Sequence, residues 1–360
     1  MEAPRVAIAG TGNIARVHAK ALSEATGPAA NLVAVMDVDD RQLGPFGRDF
    51  RIRETYRTLD DLLSHGRPDL VHVCTPPSTH YELALGCLRA GVSVLVEKPP
   101  TISLREFDEL AAAEGTGRGP WFATVFQHRF GSGQRRLKAL ARGGALGRPL
   151  VAICHTTWFR DQAYFDVPWR GRWDTEGGGP TMGHGIHQMD MLLDVLGEEW
   201  TEVSAVARTQ ARETATEDVS LAHVTFASGA VASVVNSVLS PREESYLRFD
   251  FERATVELTH LYGYGDDDWR ITPAPGCEDE VLDAWKHAES GTPSGHAAQF
   301  PHVLKALAQG RRPPVGPADA RRTMALVTGI YASAFTGRPV ALGELGPGTP
   351  FYRQMNGAQP

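Results

Sequence analysis

The sequence predicts two domains of different fold class, an α/β domain in residues 1–126 and an α+β domain in residues 127–360. In the first, short apolar runs alternate with helical patterns, as in a parallel sheet whose two faces are covered by helices. In the second, strand-like runs follow one another, which favours a largely antiparallel sheet. A chain of 360 residues is also long for a single core, so two domains are expected on size alone.

Apolar runs and helical spacing predict the individual elements. Strands of the first domain are predicted at residues 5–9, 32–36, 70–74, 92–96 and 121–125, and helices at 14–25, from 59 onward, at 79–90 and at 104–114. Strands of the second domain are predicted at 150–158, 202–208, 219–226, 230–239, 246–251 and 254–259, and helices at 185–196, 297–308 and 317–335. Surface loops are predicted at 263–276 and 290–295. The tail after Gly343 is expected either to wrap the surface or to be mobile.

The composition excludes several classes of protein. A net charge of −7, with no basic cluster, argues against a nucleic-acid-binding protein. The chain runs from Met1 directly into an apolar strand, so neither a signal peptide nor a membrane span is expected. The four cysteines lack metal-ligand spacing, and we expect reduced thiols in a cytoplasmic protein.

A dinucleotide-binding pattern follows the first strand. Gly10 permits a tight turn, Gly12 lets a pyrophosphate approach the backbone, and Ala15 is small enough for close packing of helix on strand. Asn13 and Ile14 open the helix, whose amino-terminal N–H groups and dipole favour phosphate. Because a strand and a helix flank it, this Gly-x-Gly-x-x-Ala pattern is far more specific than an isolated glycine turn.

Residues after the second and third strands are expected to border the same cofactor. Asp37 ends the second strand, where a carboxylate accepts hydrogen bonds from the adenosine ribose and repels a 2′-phosphate. The sequence therefore predicts NAD, while Arg41 leaves NADP open. Thr75, Pro76 and His80 follow the third strand, and His80 is interpreted as a loop or helix-cap residue rather than an acid or base.

Glu97 and Lys98 follow the fourth strand and complete the predicted cofactor contacts. Lysine is rare in this chain, which has five lysines and thirty-one arginines, and unlike arginine it can exchange a proton. At the carboxyl end of a buried strand, Lys98 would lie beside a bound nicotinamide. There it can hydrogen-bond a substrate hydroxyl and take part in its proton transfer.

Residues 10–15, the run Glu97-Lys98-Pro99 and the stretch from Gly177 to Asp190 form three blocks, with further patterns at 319–322 and 336–340. Together they resemble the Gfo/Idh/MocA family. The resemblance implies a Rossmann domain joined to an α+β domain with a large, mostly antiparallel open sheet, which often serves for oligomer contacts. It also implies NAD(P)-dependent oxidation or reduction of sugars, cyclitols and related polyols.

By this resemblance Lys98 contacts the substrate and the nicotinamide region, and His187 is the acid/base. During alcohol oxidation neutral His187 would remove the hydroxyl proton while hydride leaves the same carbon for NAD, and Lys98 would stabilise the charge on oxygen. Family members commonly carry an acid four residues before this histidine, where this chain has Gly183. Either His184 or Asp190 replaces that acid, or the site uses only Lys98 and His187.

The substrate contacts follow partly from the resemblance and partly from composition. The predicted contacts are Lys98, His128, Arg129, Trp158, Trp173, His184 and His187. Aromatic faces suit the apolar side of a sugar ring, but a core or a dimer contact would also explain the tryptophans, and a polar linker would explain His128 and Arg129. Glycines 177–179 predict a close backbone approach at the entrance of the following helix.

His184, His187 and Asp190 have a spacing that can present metal ligands on one helical face. The stronger His-Glu-x-x-His form is missing, and the implied hydride chemistry needs no metal, so no metal site is predicted.

Three functions are compatible with these patterns. The leading hypothesis is an NAD(P)-dependent dehydrogenase of a sugar, cyclitol or related polyol. The second is an NAD-dependent enzyme that cleaves a glycoside with no net redox change, and the third is a non-catalytic, dinucleotide-binding regulator. We expect a homodimer or homotetramer formed through the sheet of the second domain.

Overall fold

The computed structural model describes residues 3–24 and 30–357. Ala25, where the first helix was predicted to end, lies outside these ranges. Residues 1–2, at the start of the first predicted domain, and residues 358–360, at the end of the second, also lie outside them. Among the described residues, no helix combines the length and the apolar composition needed to cross a bilayer.

The chain folds into two compact units. The first takes in the described residues up to Thr101, with Glu106–Phe126 and His296–Ala320. The second takes in Ile102–Arg105, Gln127–Gly295 and the described residues from Arg321 onward. The chain passes from the first unit to the second after Phe126, and residues 296–320 return to the first unit. A sequence pattern does not reveal this return, because the assignment of residues 296–320 to a unit depends on the surface against which they pack.

The first unit contains a parallel sheet with helices between its strands. In chain order its elements are β1 Arg5–Ala9, α1 Asn13–Glu24, β2 Asn31–Met36, α2 Asp40–Asp49, β3 Glu54–Tyr56, α3 Leu59–Asp61, β4 Leu70–Val73, α4 His80–Arg89, β5 Ser93–Val96, α5 Leu104–Ala113 and β6 Phe122–Thr124. The strand order is β3-β2-β1-β4-β5-β6, and all neighbours are parallel. All five predicted strands are confirmed. The prediction missed α2 and the short edge strand β3, whose sequence Glu-Thr-Tyr has no apolar run.

The second unit is built on an eight-stranded sheet. The remaining elements are α6 Ser132–Arg142, β7 Pro149–Phe159, α7 Gln162–Phe165, α8 Pro180–Gly183, α9 Ile186–Leu196, β8 Trp200–Arg208, β9 Val219–Phe226, β10 Val231–Ser237, β11 Leu239–Phe251, β12 Ala254–His260, β13 Trp269–Pro273, α10 Glu278–His287, α11 His296–Ala308, α12 Pro317–Thr336, β14 Val340–Ala341 and α13 Pro350–Arg353. Of these, α11 belongs to the first unit. The sheet order is β13-β12-β11-β7-β10-β9-β8-β14, and only β10 and β7 pair in parallel. The mostly antiparallel α+β prediction is confirmed.

Several predictions for the second unit were wrong in detail. The predicted loop 263–276 contains β13, and the helices α6 and α10 were missed. Both helices are rich in charged residues, so their apolar stripe is narrow and the local pattern is weak. In the tail after Gly343, Phe351 and Met355 are buried, which agrees with a segment that packs on the surface rather than a mobile one.

One face of the large sheet is buried and the other is open. Along β9 and β10 buried residues alternate with exposed or half-buried ones, as expected for strands with one covered face. The open face carries apolar side chains on neighbouring strands, among them Val151, Val206, Leu221 and Val231, each more than 40% exposed. Exposed apolar surface of this kind commonly marks an interaction site.

Candidate active site

The glycine-rich turn between β1 and α1 has the geometry of a phosphate-binding loop. Gly10 has a φ of +99°, and a Cβ there would lie 2.7 Å from the carbonyl oxygen of Cys74, so only glycine fits. A Cβ on Gly12 would meet no atom within 4 Å, and Gly12 and Asn13 are exposed at the first turn of α1. Ala15 is fully buried. The turn therefore leaves an open cradle at a helix amino terminus, which fits a pyrophosphate.

Asp37 lies at the end of β2 and is bound to this turn. Its Oδ2 accepts hydrogen bonds from the backbone N (2.8 Å) and the hydroxyl (2.6 Å) of Thr11, and its Oδ1 accepts from the backbone N of Asp39 (2.9 Å). The guanidinium of Arg41 pairs with Asp39 at 3.0 Å. A fixed carboxylate at this position fits the ribose of NAD and opposes a 2′-phosphate.

His80 joins two loops at the carboxyl ends of the strands. Its Nδ1 lies 2.8 Å from the carbonyl oxygen of Pro99, and its Nε2 lies 2.7 Å from that of Thr75. Burial lowers the pKa of His80, and the two carbonyls oppose this effect. Both ring nitrogens are engaged by backbone, so His80 fixes the loops rather than contacting a ligand directly. The sequence predicted His80 as a cofactor contact, whereas in the structure its ring lies against the backbone of the two loops.

Glu97 also differs from its predicted role as a cofactor contact. Its carboxylate is buried and is bound by His18, His296 and the backbone N of Lys98. His18, Glu97 and His296 are the one group among the described residues whose atoms lie close enough together to suggest a metal. Donor–acceptor distances of 2.8 and 3.1 Å are those of hydrogen bonds, which account for these atoms without an ion.

In the second unit, rings gather around His187. His187 lies in the first turn of α9 and is 3% exposed. Its ring centroid is 4.9 Å from that of His128 and 6.1 Å from that of Tyr262, and His128 and Tyr262 are 5.4 Å apart. His260 stands 5.9 Å from His128, and burial lowers its pKa to about 4, so it is neutral near pH 7.

A second ring contact extends this group toward β7. Trp158 is 5.2 Å from His184 and 6.2 Å from Tyr262, and Tyr164 is 5.7 Å from His184. We call His128, Trp158, Tyr164, His184, His187 and Tyr262 the ring cluster. Four of its members were predicted as substrate contacts. Tyr262 was missed because it lies between the predicted strand 254–259 and the predicted loop 263–276, where no element was assigned.

Arg129, a predicted substrate contact, is instead part of a buried ion-pair network. Its Nε and Nη2 both donate to Asp190 at 2.6 Å, and Nη1 donates to Asp194 at 3.1 Å. Asp190 also accepts from Thr323, and Asp194 pairs with Lys138. Because Asp190 and Asp194 are on α9, Arg129 anchors the helix that carries His187. Asp190 is thereby engaged as an ion-pair partner, which argues against the alternative in which it replaces the missing acid.

Trp173 is not part of the ring cluster. Its indole N–H donates to the carbonyl of Ala215, and its ring packs edge-on against Tyr331 and Phe335. It lines a separate cavity of about 310 Å³ together with Glu217 and Phe335. These contacts agree with the alternative stated for the tryptophans, a packing role, rather than with a substrate contact.

The glycines before α8 accommodate very close neighbours. A Cβ on Gly179 would lie 1.9 Å from the carbonyl oxygen of Glu217, and one on Gly178 would lie 2.2 Å from the hydroxyl of Tyr331. The Glu217 carboxylate accepts from the backbone N of Gly179 and of Thr181, both at 3.0 Å, and from Tyr331. The glycines thus permit the close backbone approach expected at the helix entrance.

Glu176 is the acidic side chain nearest to Gly183. Its Oε1 would be 3.4 Å from a Cβ on Gly183, and the residue is 4% exposed. Its Oε2 accepts from the backbone N of Gly171 at 2.7 Å, and Oε1 lies 3.5 Å from Arg170 Nη1. Arg170 also donates to the hydroxyl of Tyr164, which is 3.4 Å from Nε2 of His184. Glu176 was missed, although an acid directly before three glycines was a usable signal.

Comparison with known proteins agrees with this geometry. The model of an oxidoreductase family with an NAD-binding Rossmann fold, GFO_IDH_MocA, matches residues 4–118. The GFO/IDH/MocA C-terminal domain matches residues 134–257. Together the two matches cover more than half of the chain.

Individual relatives are dehydrogenases of carbohydrates. D-glucoside 3-dehydrogenase of Escherichia coli K12 is 29% identical, over 94% of this chain and 97% of its own. Myo-inositol 2-dehydrogenase of Thermotoga maritima is 27% identical, over 65% and 68%. The WlbA dehydrogenase of Chromobacterium violaceum, whose structure contains NADH and UDP-GlcNAcA, is 26% identical over 95% and 96%, with a TM-score of 0.82.

The phosphate-binding turn, the placement of Asp37 and the two family matches lead to one conclusion. The chain belongs to the GFO/IDH/MocA oxidoreductase family and is an NAD-dependent enzyme.

Proposed function

We propose that this protein is a dehydrogenase that oxidises a ring hydroxyl of a sugar, glycoside or cyclitol, or reduces the corresponding ketone. The ring cluster around His187 is the observation that carries this proposal. It combines a buried imidazole with the faces of Trp158, Tyr164 and Tyr262, the side chains that suit the apolar side of a pyranose or inositol ring. The named relatives, which act on glucosides and on myo-inositol, support the same class of substrate.

The proposed mechanism assigns one task to each side chain. NAD, when bound, would supply the hydride acceptor for oxidation, and its reduced form would supply the hydride donor for reduction. Gly12 and Asn13 would hold the pyrophosphate, and Asp37 would hold the adenosine ribose. In this proposal His187 takes the proton of the hydroxyl, and Lys98 is a hydrogen-bond donor that stabilises the charge developed during the reaction.

Glu176 supplies, in this proposal, the carboxylate expected at position 183. Its Oε1 occupies the space next to Gly183, and its partner Arg170 links it to Tyr164 and so to His184. We assign Glu176 a positioning role, in which its charge fixes Arg170 and Tyr164 beside the imidazole of His184.

Self-association of the chain is part of the same proposal. The open face of the sheet exposes Val151, Val206, Leu221 and Val231, and a second copy of the chain would cover these side chains. A homodimer or homotetramer is expected. The mass measured by light scattering should fall to that of one chain when Val231→Lys and Val206→Lys are combined, and a wild-type mass equal to one chain would contradict the proposal.

We also propose a cytoplasmic location. All four cysteines are free thiols, and three of them are buried, as is common in a reducing compartment.

Formation of NADH tests the function directly. The wild-type protein is incubated with NAD and a panel that includes D-glucose, methyl glucosides, myo-inositol and scyllo-inositol. We expect turnover with at least one of them, and we expect Lys98→Met and His187→Ala each to lose roughly 100-fold or more of kcat while NAD binding is retained. Unchanged turnover in either variant would remove that residue from the mechanism. Release of an alcohol from a glycoside without net NADH would instead support glycoside cleavage.

A further inference from the structure

Five polar side chains meet in the interior of the first unit. They are His18 on α1, His72 on β4, Cys74 and Glu97 at strand ends, and His296 at the start of α11, and none is more than 5% exposed. We call them the histidine–glutamate network. The dehydrogenase mechanism given above uses none of them, and most are far apart in sequence.

Glu97 is the centre of this network because both of its carboxylate oxygens are bonded. Oε1 lies 2.8 Å from Nε2 of His18 and 3.1 Å from Nε2 of His296. Oε2 accepts from the backbone N of Lys98 at 3.0 Å. Burial alone would raise the pKa of Glu97, but the hydrogen bonds from the two histidines outweigh it and hold the pKa well below its ordinary value. A charged carboxylate therefore binds the peptide group that carries Lys98.

One set of proton positions satisfies the inner part of the network. If His18 donates from Nε2 to Glu97, its Nδ1 is an acceptor, which fits Nδ1 of His72 at 2.9 Å and Sγ of Cys74 at 3.3 Å as donors. Burial lowers the pKa of His18 and of His72, and it raises that of the Cys74 thiol, so these groups are neutral near pH 7. Donors and acceptors thus match without any added ligand.

The network connects two places that the function uses. His18 lies on α1, five residues after Asn13, where the phosphate-binding turn begins the helix. Glu97 precedes Lys98, and on the other side of Lys98 the carbonyl of Pro99 is bound by His80 at 2.8 Å. The peptide backbone that carries Lys98 is therefore held from both sides, and one of the two supports is built on the helix of the cofactor turn.

We propose that His18 and His296 are positioning residues that hold Lys98 in place through the carboxylate of Glu97. When either imidazole is removed, Glu97 loses a donor to Oε1, and the carboxylate is free to turn away from the backbone N of Lys98. The consequence for catalysis rests on the proposed role of Lys98, but the positioning itself does not.

Chemical labelling of lysines tests the positioning independently of turnover. The full-length protein is methylated with formaldehyde and cyanoborohydride, and mass spectrometry gives the rate at each lysine. In His18→Asn and His296→Asn we expect the rate at Lys98 to rise roughly fivefold or more, while Lys20, on the same helix as His18, and Lys305, on the same helix as His296, keep theirs. His302→Asn, an exposed position on α11, is the matched control and should leave Lys98 unchanged.

Each other result has a defined meaning. A Lys98 rate that stays at the wild-type value in both variants, with circular dichroism showing that they are folded, would overturn the proposal. Equal increases at all lysines would also overturn it, because they indicate general loosening of the fold. If wild-type protein contains one equivalent of metal that His296→Asn loses, Glu97 is a metal ligand and the proposal fails. Where a substrate has been found, both variants should lower kcat by up to roughly 100-fold with little change in the KM for NAD.

Discussion

At the scale of single residues, the site combines a familiar framework with an unusual carboxylate. The chain keeps Lys98 and His187 but has glycine where its relatives are expected to carry an acid. Gly183 has ordinary helical geometry, and a Cβ there would make only van der Waals contact with Glu176. The carboxylate of Glu176 therefore lies where a side chain at position 183 would begin.

This compensation can be tested by moving the carboxylate. We expect Glu176→Ala to lower kcat by roughly tenfold or more, because Arg170 and Tyr164 lose the charge that fixes them beside His184. Gly183→Asp in the Glu176→Ala background should recover a large part of that loss, since the aspartate fills the vacated space. Gly183→Ala alone is the control and should stay near wild type. A double variant no better than Glu176→Ala would show that the two positions are not equivalent.

At the same scale, we expect Asp37 to determine the preference for NAD over NADP. Asp37→Asn keeps an oxygen that can accept from Thr11 but removes the charge that repels a 2′-phosphate. We expect wild type to bind NAD more tightly than NADP by roughly tenfold or more, and the variant to lose most of that preference. Calorimetric Kd values for both dinucleotides give the ratio, and Asp60→Asn at an exposed position serves as control. A ratio that is the same in wild type and Asp37→Asn would exclude this role.

At the scale of elements, α9 is held in place by charges rather than by apolar packing alone. Arg129, Asp190 and Asp194 are each less than 10% exposed and form a network on the side of the helix that carries His187. Removal of one partner from a buried ion pair leaves an uncompensated charge, which typically costs about 3–5 kcal/mol. The position of His187 therefore depends on Arg129, whose guanidinium donates to two carboxylates of the same helix.

The contribution of Arg129 to the stability of the fold can be measured by urea unfolding. We expect Arg129→Met to lower the free energy of unfolding by about 3–5 kcal/mol, because two buried carboxylates lose their main partner. Arg135 pairs with Glu289 at a more exposed position, and Arg135→Met should cost less than about 1 kcal/mol. Similar losses of unfolding free energy in the two variants would mean that the buried network stabilises the fold no more than an exposed ion pair does.

At the scale of the whole molecule, buried neutral histidines make stability depend on pH. Burial lowers the pKa of His18 and His72 in the first unit and of His260 in the second, which falls to about 4. In the unfolded chain these side chains take up protons near pH 6.5, their ordinary value. Below that pH the unfolded state binds more protons than the folded state, so stability is complete above about 6.5 and is lost as the pH falls toward the folded pKa.

The free energy of unfolding should therefore decline between pH 7.5 and pH 5. For His260 alone the expected loss is about 2 kcal/mol, since its folded pKa lies below this whole range. Urea titrations at several pH values give the slope, and His260→Gln, which cannot titrate, should show a shallower one. Stability that is constant over the range would contradict neutral burial of these histidines.

The sequence alone was sufficient for features that are encoded within a few neighbouring residues. The glycine turn at residues 10–15, the acid at the end of β2, the alternation of strands and helices, and the Glu97-Lys98-Pro99 run are local patterns, and turn chemistry and periodicity reveal them directly. The edge strand β3 and the helices α6 and α10 were not predicted, because their apolar residues form only a weak local pattern.

The tertiary structure decided the features that depend on residues far apart in the chain. It brought His296 to Glu97 across 199 residues, returned residues 296–320 to the first unit, and turned Arg129 toward α9 instead of a ligand. It also put the carboxylate of Glu176 beside Gly183. The reason is physical: a sequence pattern reports which face of an element is buried, whereas the partner of a buried polar group is chosen only when distant segments pack together and each donor must find an acceptor.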